Sequence, residues 1–174
     1  MQYQKAFIKL SGDLLEPTDN EEVREDLIEK IQEINQQYLS TVCVGGGTQI
    51  NRMFKMHGYP ILFGPLGREF NCQEAKDLAE KILEQNRVTL DRALIARNIA
   101  ATVIVPMLFI GESHCHVNGD RILLDAYHGF DRLFLFTLTE RIEKKEEEFR
   151  QYRDFNSRKL QFFGFPRLKD LPAI

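Results

Sequence analysis

Three features are scarce or missing in this sequence of 174 residues. Its cysteines, Cys43, Cys72 and Cys115, are odd in number and widely spaced, which argues against a disulfide framework and favours a reducing compartment. No apolar run approaches the roughly 20 residues of a membrane-spanning helix, and the first residues lack the apolar core of a signal peptide. The formal net charge of -3 offers no basic surface for nucleic acid. We therefore expect a cytoplasmic protein that binds neither membrane nor nucleic acid.

Strands and helices alternate along what we predict to be a single domain spanning residues 1–174. The predicted strands are residues 6–10, 39–44, 102–110, 132–137 and 160–165. Six helices are predicted. The first is capped by Thr18, Asp19 or Asn20, and the next three span residues 48–56, 71–83 and 89–97. The fifth begins at Asn118, and the sixth is the charged run 140–149. This order predicts a three-layer α/β/α sandwich around a mainly parallel sheet, with ligands at the carboxyl ends of the strands.

Four local signals refine these elements. Asn71 to Glu74 has the outline of a capping box with Asn71 as the cap. Pro106 predicts a bulge or an edge within the third strand. Residues 58–67, rich in glycine and proline, read as an irregular excursion, and the run 140–149 reads as a solvated helix face with pairs such as Glu140–Lys144.

Two predicted strands end in residues suited to binding an anion. Gly45, Gly46 and Gly47 directly follow the second strand, whereas Lys9 and Gly12 close the first. Glycine has no Cβ, so its N–H can approach an oxygen-rich ligand closely, and a helix N-terminus favours anions. We interpret the turns as two walls of one phosphate site. The alternative is a tight turn beside a surface lysine.

Two common nucleotide motifs are absent. A dinucleotide-binding G-x-G-x-x-G pattern needs a glycine where Ile50 stands. A Walker A loop is excluded because no Gly-Lys-Ser/Thr sequence follows a glycine turn.

Five elements in order carry a resemblance to a known family. They are the turn from Lys9 to Gly12, the triple glycine, Gly67-Arg68, Asn86 and the segment Val117 to Asp120. Over roughly residues 5–137 the chain resembles the amino acid kinase superfamily, most closely acetylglutamate kinases and secondarily uridylate kinases. The resemblance implies an amino-acid-kinase-like fold, a possible homodimer, and transfer of the γ-phosphoryl group of ATP, with Mg²⁺, to a carboxylate or similar oxyanion of a small metabolite.

The resemblance also assigns roles to the matching residues. Lys9 bridges the β- and γ-phosphates, and Asp120 organises Lys9 as a second catalytic residue. The phosphate-binding positions are Gly12, Gly45, Gly46 and Gly47. Arg68 grips an acceptor carboxylate and Asn118 contacts the acceptor. Plainer alternatives are a surface charge for Arg68 and a helix cap for Asn118 and Asp120.

The last part of the chain departs from the family. The strand at 132–137 is not followed by the usual Thr-Asp pair and glycine turn. A second, distal lysine is expected on the ATP side, and the sequence offers Lys144, Lys145, Lys159 and Lys169 without a recognisable motif. We predict an acceptor and phosphate lobe at about 1–117 and a reduced nucleotide lobe at about 118–174. The alternative is an inactive small-molecule or anion-binding or regulatory module.

One further cluster contains metal-ligand types. Every second residue of an extended strand points to the same face, which would bring His114 and His116 together, with Cys115 between them and Asp120 four residues beyond His116. Cys72 and His128 are the available second ligands. We expect an ordinary strand end here and no metal site.

Overall fold

The computed structural model describes residues 3–16, 23–64, 67–110, 113–152 and 158–167. The strands are β1 (Lys5–Leu10), β2 (Leu39–Val44), β3 (Leu62–Gly64), β4 (Gly67–Glu69), β5 (Ala101–Ile104), β6 (Met107–Ile110), β7 (Ser113–His116), β8 (Arg132–Leu138) and β9 (Leu160–Phe165). The helices are α1 (Glu25–Asn35), α2 (Gly47–His57), α3 (Gln73–Ala96), α4 (Gly119–Asp125) and α5 (Ile142–Arg150). Short 3-10 turns occupy Gly12–Leu15, Ala126–His128 and Thr139–Arg141.

Five strands form one parallel sheet in the order β5-β2-β1-β8-β9. The predicted α/β class with a mainly parallel sheet is therefore confirmed, and the predicted bounds of β2 and β9 match the structure. Because β8 pairs directly with β1, the sheet runs across both predicted lobes. In the described part of the chain, no helix combines the length and apolar character needed to cross a membrane.

Helices cover both faces of the sheet, and the alternation of side chains along β1 decides what each face contacts. Ala6, Ile8 and Leu10 belong to a buried cluster with residues of α1 and the second half of α3. Phe7 belongs to the opposite cluster, which includes residues of α4 and α5. Lys9 shares the face of Phe7, so its side chain lies on the side of α4 and α5.

A third cluster packs α2 against the first half of α3 and reaches the residues around the antiparallel hairpin β3–β4. A second antiparallel hairpin pairs β6 with β7. The hairpin β3–β4 begins within the segment 58–67, for which the sequence predicts irregular structure, and extends beyond it to Glu69. Arg68 lies on β4.

Three sequence predictions are wrong in detail. The two helices predicted at 71–83 and 89–97 are one continuous helix, α3. Cys72, not Asn71, is its N-cap residue, and the Cys72 side chain makes no capping hydrogen bond. The predicted strand 102–110 is divided at Pro106 into β5, in the main sheet, and β6, in a hairpin. The proposed caps Thr18, Asp19 and Asn20 lie outside the described residues.

Candidate functional site

A cavity of about 340 Å³ opens at the carboxyl ends of β1, β2 and β8. The structure brings all eight sequence-predicted site residues to its walls. They are Lys9, Gly12, Gly45, Gly46, Gly47, Arg68, Asn118 and Asp120. Their convergence follows from the topology, because parallel neighbouring strands end at one edge of the sheet.

The two glycine turns pack backbone against backbone. A Cβ atom placed on Gly12 would lie 2.6 Å from Gly46 Cα and 2.7 Å from the carbonyl oxygen of Gly45. The N–H of Gly45 donates to the carbonyl of Leu10 at 2.8 Å, so it joins the turns. The prediction that Gly45 offers its N–H to phosphate is therefore wrong for this structure, since that donor is already used.

The start of α2 supplies N–H donors at the cavity instead. Gly46 is its N-cap residue and Gly47 its first residue, and the first N–H groups of a helix have no acceptor within the helix. A Cβ atom on Gly47 would meet no atom within 4 Å, so this position faces open space. The helix dipole makes this end electropositive.

Asn86 on α3 holds the triple-glycine turn in place through a hydrogen bond. Its buried Nδ2 donates to the carbonyl of Gly45 at 2.8 Å and to Oε1 of Gln49 at 2.5 Å. Gln49 in turn donates to the carbonyl of Leu15 at 3.0 Å. This buried network couples α3 to both turns, which explains a polar residue in the middle of a long helix.

A carboxylate between two lysines lies at the centre of the site. Lys9 Nζ is 3.0 Å from Asp120 Oδ1, and Lys145 Nζ donates to Asp120 Oδ2 at 2.7 Å. Lys145 also contacts Glu148 Oε2 at 2.5 Å. The three side chains come from β1, α4 and α5, and about four-fifths or more of each is buried.

The neighbouring charges shift the pKa values of Asp120 and Lys145 in opposite directions. Burial alone raises the pKa of Asp120, but the nearby charges of Lys9 and Lys145 outweigh it and hold the pKa below its usual value. Burial lowers the pKa of Lys145, but Asp120 and Glu148 reverse the effect and the pKa is raised. Asp120 is therefore ionised and Lys145 protonated near neutral pH.

Asn118 begins α4 and positions Asp120. Its Oδ1 accepts a hydrogen bond from the backbone N–H of Asp120 at 2.9 Å. The side-chain oxygen of Asn118 therefore caps α4, as the plainer alternative predicts. Asn118 also lines the cavity.

Arg68 is held on the other side of the cavity. Its Nη2 donates to Asn51 Oδ1 at 2.7 Å, and its guanidinium carbon lies 5.3 Å from the centroid of the Phe54 ring and 4.8 Å from that of the Phe63 ring. Its Nη1 is buried and has no hydrogen-bond partner among the described residues. Burial lowers the pKa of Arg68. Arg68 is therefore a positioned cation, unlike the surface charge of the alternative reading.

Two of the four cations that line the cavity, Lys145 and Arg141, were not assigned to the site from the sequence. Lys145 was one of four unplaced candidates. Of the others, Lys144 pairs with Glu148 at 3.9 Å, Lys159 lies over the Tyr127 ring, and Lys169 is outside the described residues. Arg141 gave no signal at all, and it lines the cavity while pairing with Asp13.

His114 and His116 do converge, and their common partner is Glu80 on α3. His114 Nδ1 lies 3.3 Å and His116 Nε2 lies 3.5 Å from the Glu80 carboxylate. Burial lowers the pKa of His116, and Glu80 opposes that effect. No group of three or more His, Cys, Asp or Glu residues placed to hold a metal ion is found within the described ranges.

The cavity concentrates positive charge in an acidic chain. Its charged lining residues are Lys9, Arg68, Arg141 and Lys145 against Asp13 and Asp120, which is four positive and two negative charges, or a formal excess of two. The whole chain has a net charge of -3. An excess of positive charge in a cavity attracts anions electrostatically.

Neither protein-family models nor curated protein sequences give a significant match to this chain.

Proposed function

We propose that the protein is a small-molecule kinase of the amino acid kinase type, which transfers the γ-phosphoryl group of ATP to a carboxylate or similar oxyanion. The observation that carries the proposal is the placement of Lys9 and Lys145 on either side of Asp120, beside the N-terminus of α2, in one cavity. Two largely buried cations held by one carboxylate form a preorganised anion site.

Phosphoryl transfer places negative charge on the peripheral oxygens of the moving group, so catalysis depends mainly on positioning and electrostatics. An acceptor oxygen forms a bond to the γ-phosphorus while the bond from that phosphorus to the β–γ bridging oxygen breaks, and ADP leaves. In our proposal Lys9 contacts the transferring group from the side of the glycine turns. Lys145 neutralises the leaving phosphate from the side of α5.

Asp120 acts as a positioning residue for the two lysines. Both of its oxygens already face lysine nitrogens, and its lowered pKa makes it a poor proton acceptor. The same engagement leaves it unsuited to binding Mg²⁺. Magnesium then comes with the nucleotide, held through phosphate oxygens, as is usual for this ion.

Arg68 suits an anionic acceptor. Its planar guanidinium is oriented by Asn51 and by two aromatic rings, and its Nη1 still lacks a partner among the described residues. A carboxylate is the group that best matches such a fork. A buried donor without a partner is costly, so an acceptor carboxylate there would remove a penalty.

The first test measures binding and transfer separately. Mg-ATP at millimolar concentration is expected to raise the melting temperature by mass action, and labelled ATP is expected to transfer its γ-phosphoryl group to a member of a panel of small carboxylates. Carboxylate binding without any effect of ATP would favour the alternative, an inactive anion-binding module.

Lys9→Met tests the assigned chemistry. We expect the rate of transfer to fall by at least about 10²-fold, as for loss of one transition-state donor, while Asp120 remains paired with Lys145 and the fold persists. Lys5→Met is the matched control, since Lys5 is exposed on the same strand. Unchanged transfer by Lys9→Met would remove Lys9 from this role.

A further inference from the structure

Arg141 occupies a position next to the first glycine turn. The 3-10 turn that contains it follows β8 directly, and β8 is hydrogen-bonded to β1. The N–H of Ser11 extends this pairing by donating to the carbonyl of Phe136 at 2.9 Å. The chain leaving β1 and the chain leaving β8 therefore lie side by side at the cavity.

An internal carboxylate holds Arg141 there. Its Nη1 donates to Asp13 Oδ2, and the same oxygen accepts a hydrogen bond from the hydroxyl of Ser11 at 3.1 Å. The Asp13 side chain is only 8% exposed, whereas that of Arg141 is 38% exposed and reaches the cavity. A guanidinium has five N–H donors, and the contact with Asp13 orients the group.

Arg141 and Lys145 form a pair of cations on one helix. Arg141 is the N-cap residue of α5 and Lys145 lies four residues further on, which places both on the same side. Both line the cavity, together with Lys9 from β1. Three cations from two sides of a cavity match a chain of linked phosphates better than one isolated anion.

We propose that Arg141 binds the phosphate chain of the donor, and that Asp13 positions it for this contact. The inference builds on the kinase function proposed above and adds a residue to its donor site. The planar fork of Arg141 suits two non-bridging oxygens, while Lys145 contributes a point charge beside them. The ligand class is a di- or triphosphate, either nucleoside-linked or inorganic.

Calorimetric titration tests this site with two probes, inorganic tripolyphosphate and Mg-ATP. Arg141→Gln is expected to weaken both by about tenfold, the loss of one charge-assisted interaction. Arg150→Gln is the matched control, because Arg150 is exposed on α5 and pairs with Glu146, and it is expected to bind as the wild type does. If Arg141→Gln weakens only the binding of Mg-ATP, the ligand is a nucleoside-linked donor. If it weakens the binding of both probes, Arg141 recognises the phosphate chemistry that the two share.

A second variant separates binding from folding, since Arg141→Gln leaves the buried Asp13 without its cation. Arg141→Lys keeps the charge beside Asp13 and loses the fork, so it is expected to fold and to bind with intermediate affinity. Equal affinities of the wild type, Arg141→Gln and Arg141→Lys for both tripolyphosphate and Mg-ATP would overturn the proposal. If tripolyphosphate binds through Arg141 but no phosphoryl group is transferred, the kinase function fails and this site stands. If transfer proceeds with an unchanged KM for ATP in Arg141→Gln, the site fails and the function stands.

Discussion

The two walls of the cavity are built by different physical means. The wall formed by the turns after β1 and β2 is held by backbone contacts, in which Gly12 lies against Gly45 and Gly46. The opposite wall, from α4 and α5, is held by ion pairs centred on Asp120. The first wall depends on the absence of side chains, and the second depends on charge. They should therefore respond to different perturbations.

The largest effect is expected at the glycine wall. Gly12→Ala places a methyl group within 2.7 Å of backbone atoms of Gly45 and Gly46, which no rotamer can relieve. We expect a loss of about 3 kcal/mol in the free energy of unfolding, at the upper end for overpacking, measured by urea denaturation. A variant as stable as the wild type would show that the turns are not in contact.

A smaller and pH-dependent effect is expected at the charged wall. Asp120→Asn leaves Lys9 and Lys145 without the anion that they share, although Lys145 keeps its contact with Glu148. We therefore expect a cost of about 2 kcal/mol at pH 7, less than for a fully buried pair that loses its only counter-ion. Because the pKa of Asp120 is lowered in the folded state, its contribution is present above the usual aspartate pKa and is lost as pH falls through the folded value.

The pH series provides the control for that prediction. Denaturation from pH 7 to pH 3 should show the difference between the wild type and Asp120→Asn narrowing at the acid end. Asp125→Asn serves as the comparison, since Asp125 is exposed on the same helix and pairs only at the surface with Arg121. A gap of constant size across the range would contradict the ion-pair account.

The smallest effect on stability is expected at Gly47, on the same wall as Gly12. A Cβ atom there meets nothing within 4 Å, and alanine favours the helix, so Gly47→Ala should change the free energy of unfolding by no more than about 0.5 kcal/mol. The added methyl group enters the cavity, so we expect the affinity for Mg-ATP to fall several-fold in calorimetry. Unaltered affinity would place the phosphates away from α2.

The glycine wall was predictable from sequence because each of its two turns directly follows a predicted strand. Gly12 follows the first strand and Gly45 to Gly47 follow the second, and the ends of neighbouring parallel strands meet at one edge of a sheet. Asp120 was found through its spacing from Asn118. The use of the Gly45 N–H within the protein was not predictable, because its acceptor, Leu10, belongs to another strand.

The charged wall could not be predicted from the sequence, because its residues come together only through the packing of distant segments. Lys145 lies in a run of charges that is typical of a solvated helix face, and only the packing of α5 against the sheet brings it to Asp120, 25 residues away. Asn86 lies between the two helices that the sequence predicts, 71–83 and 89–97, and the structure joins them into one. Its amide can lie inside a long helix because it donates to distant acceptors on Gly45 and Gln49.

The most direct test of the claim that both walls hold one phosphate chain is the affinity for Mg-ATP of two neighbouring lysine variants on α5. Lys145 reaches Asp120, whereas the Lys144 side chain is 77% exposed. We expect Lys145→Met to weaken Mg-ATP binding by about tenfold or more, while Lys144→Met stays within about twofold of the wild type. Equal affinities of the two variants would contradict that claim.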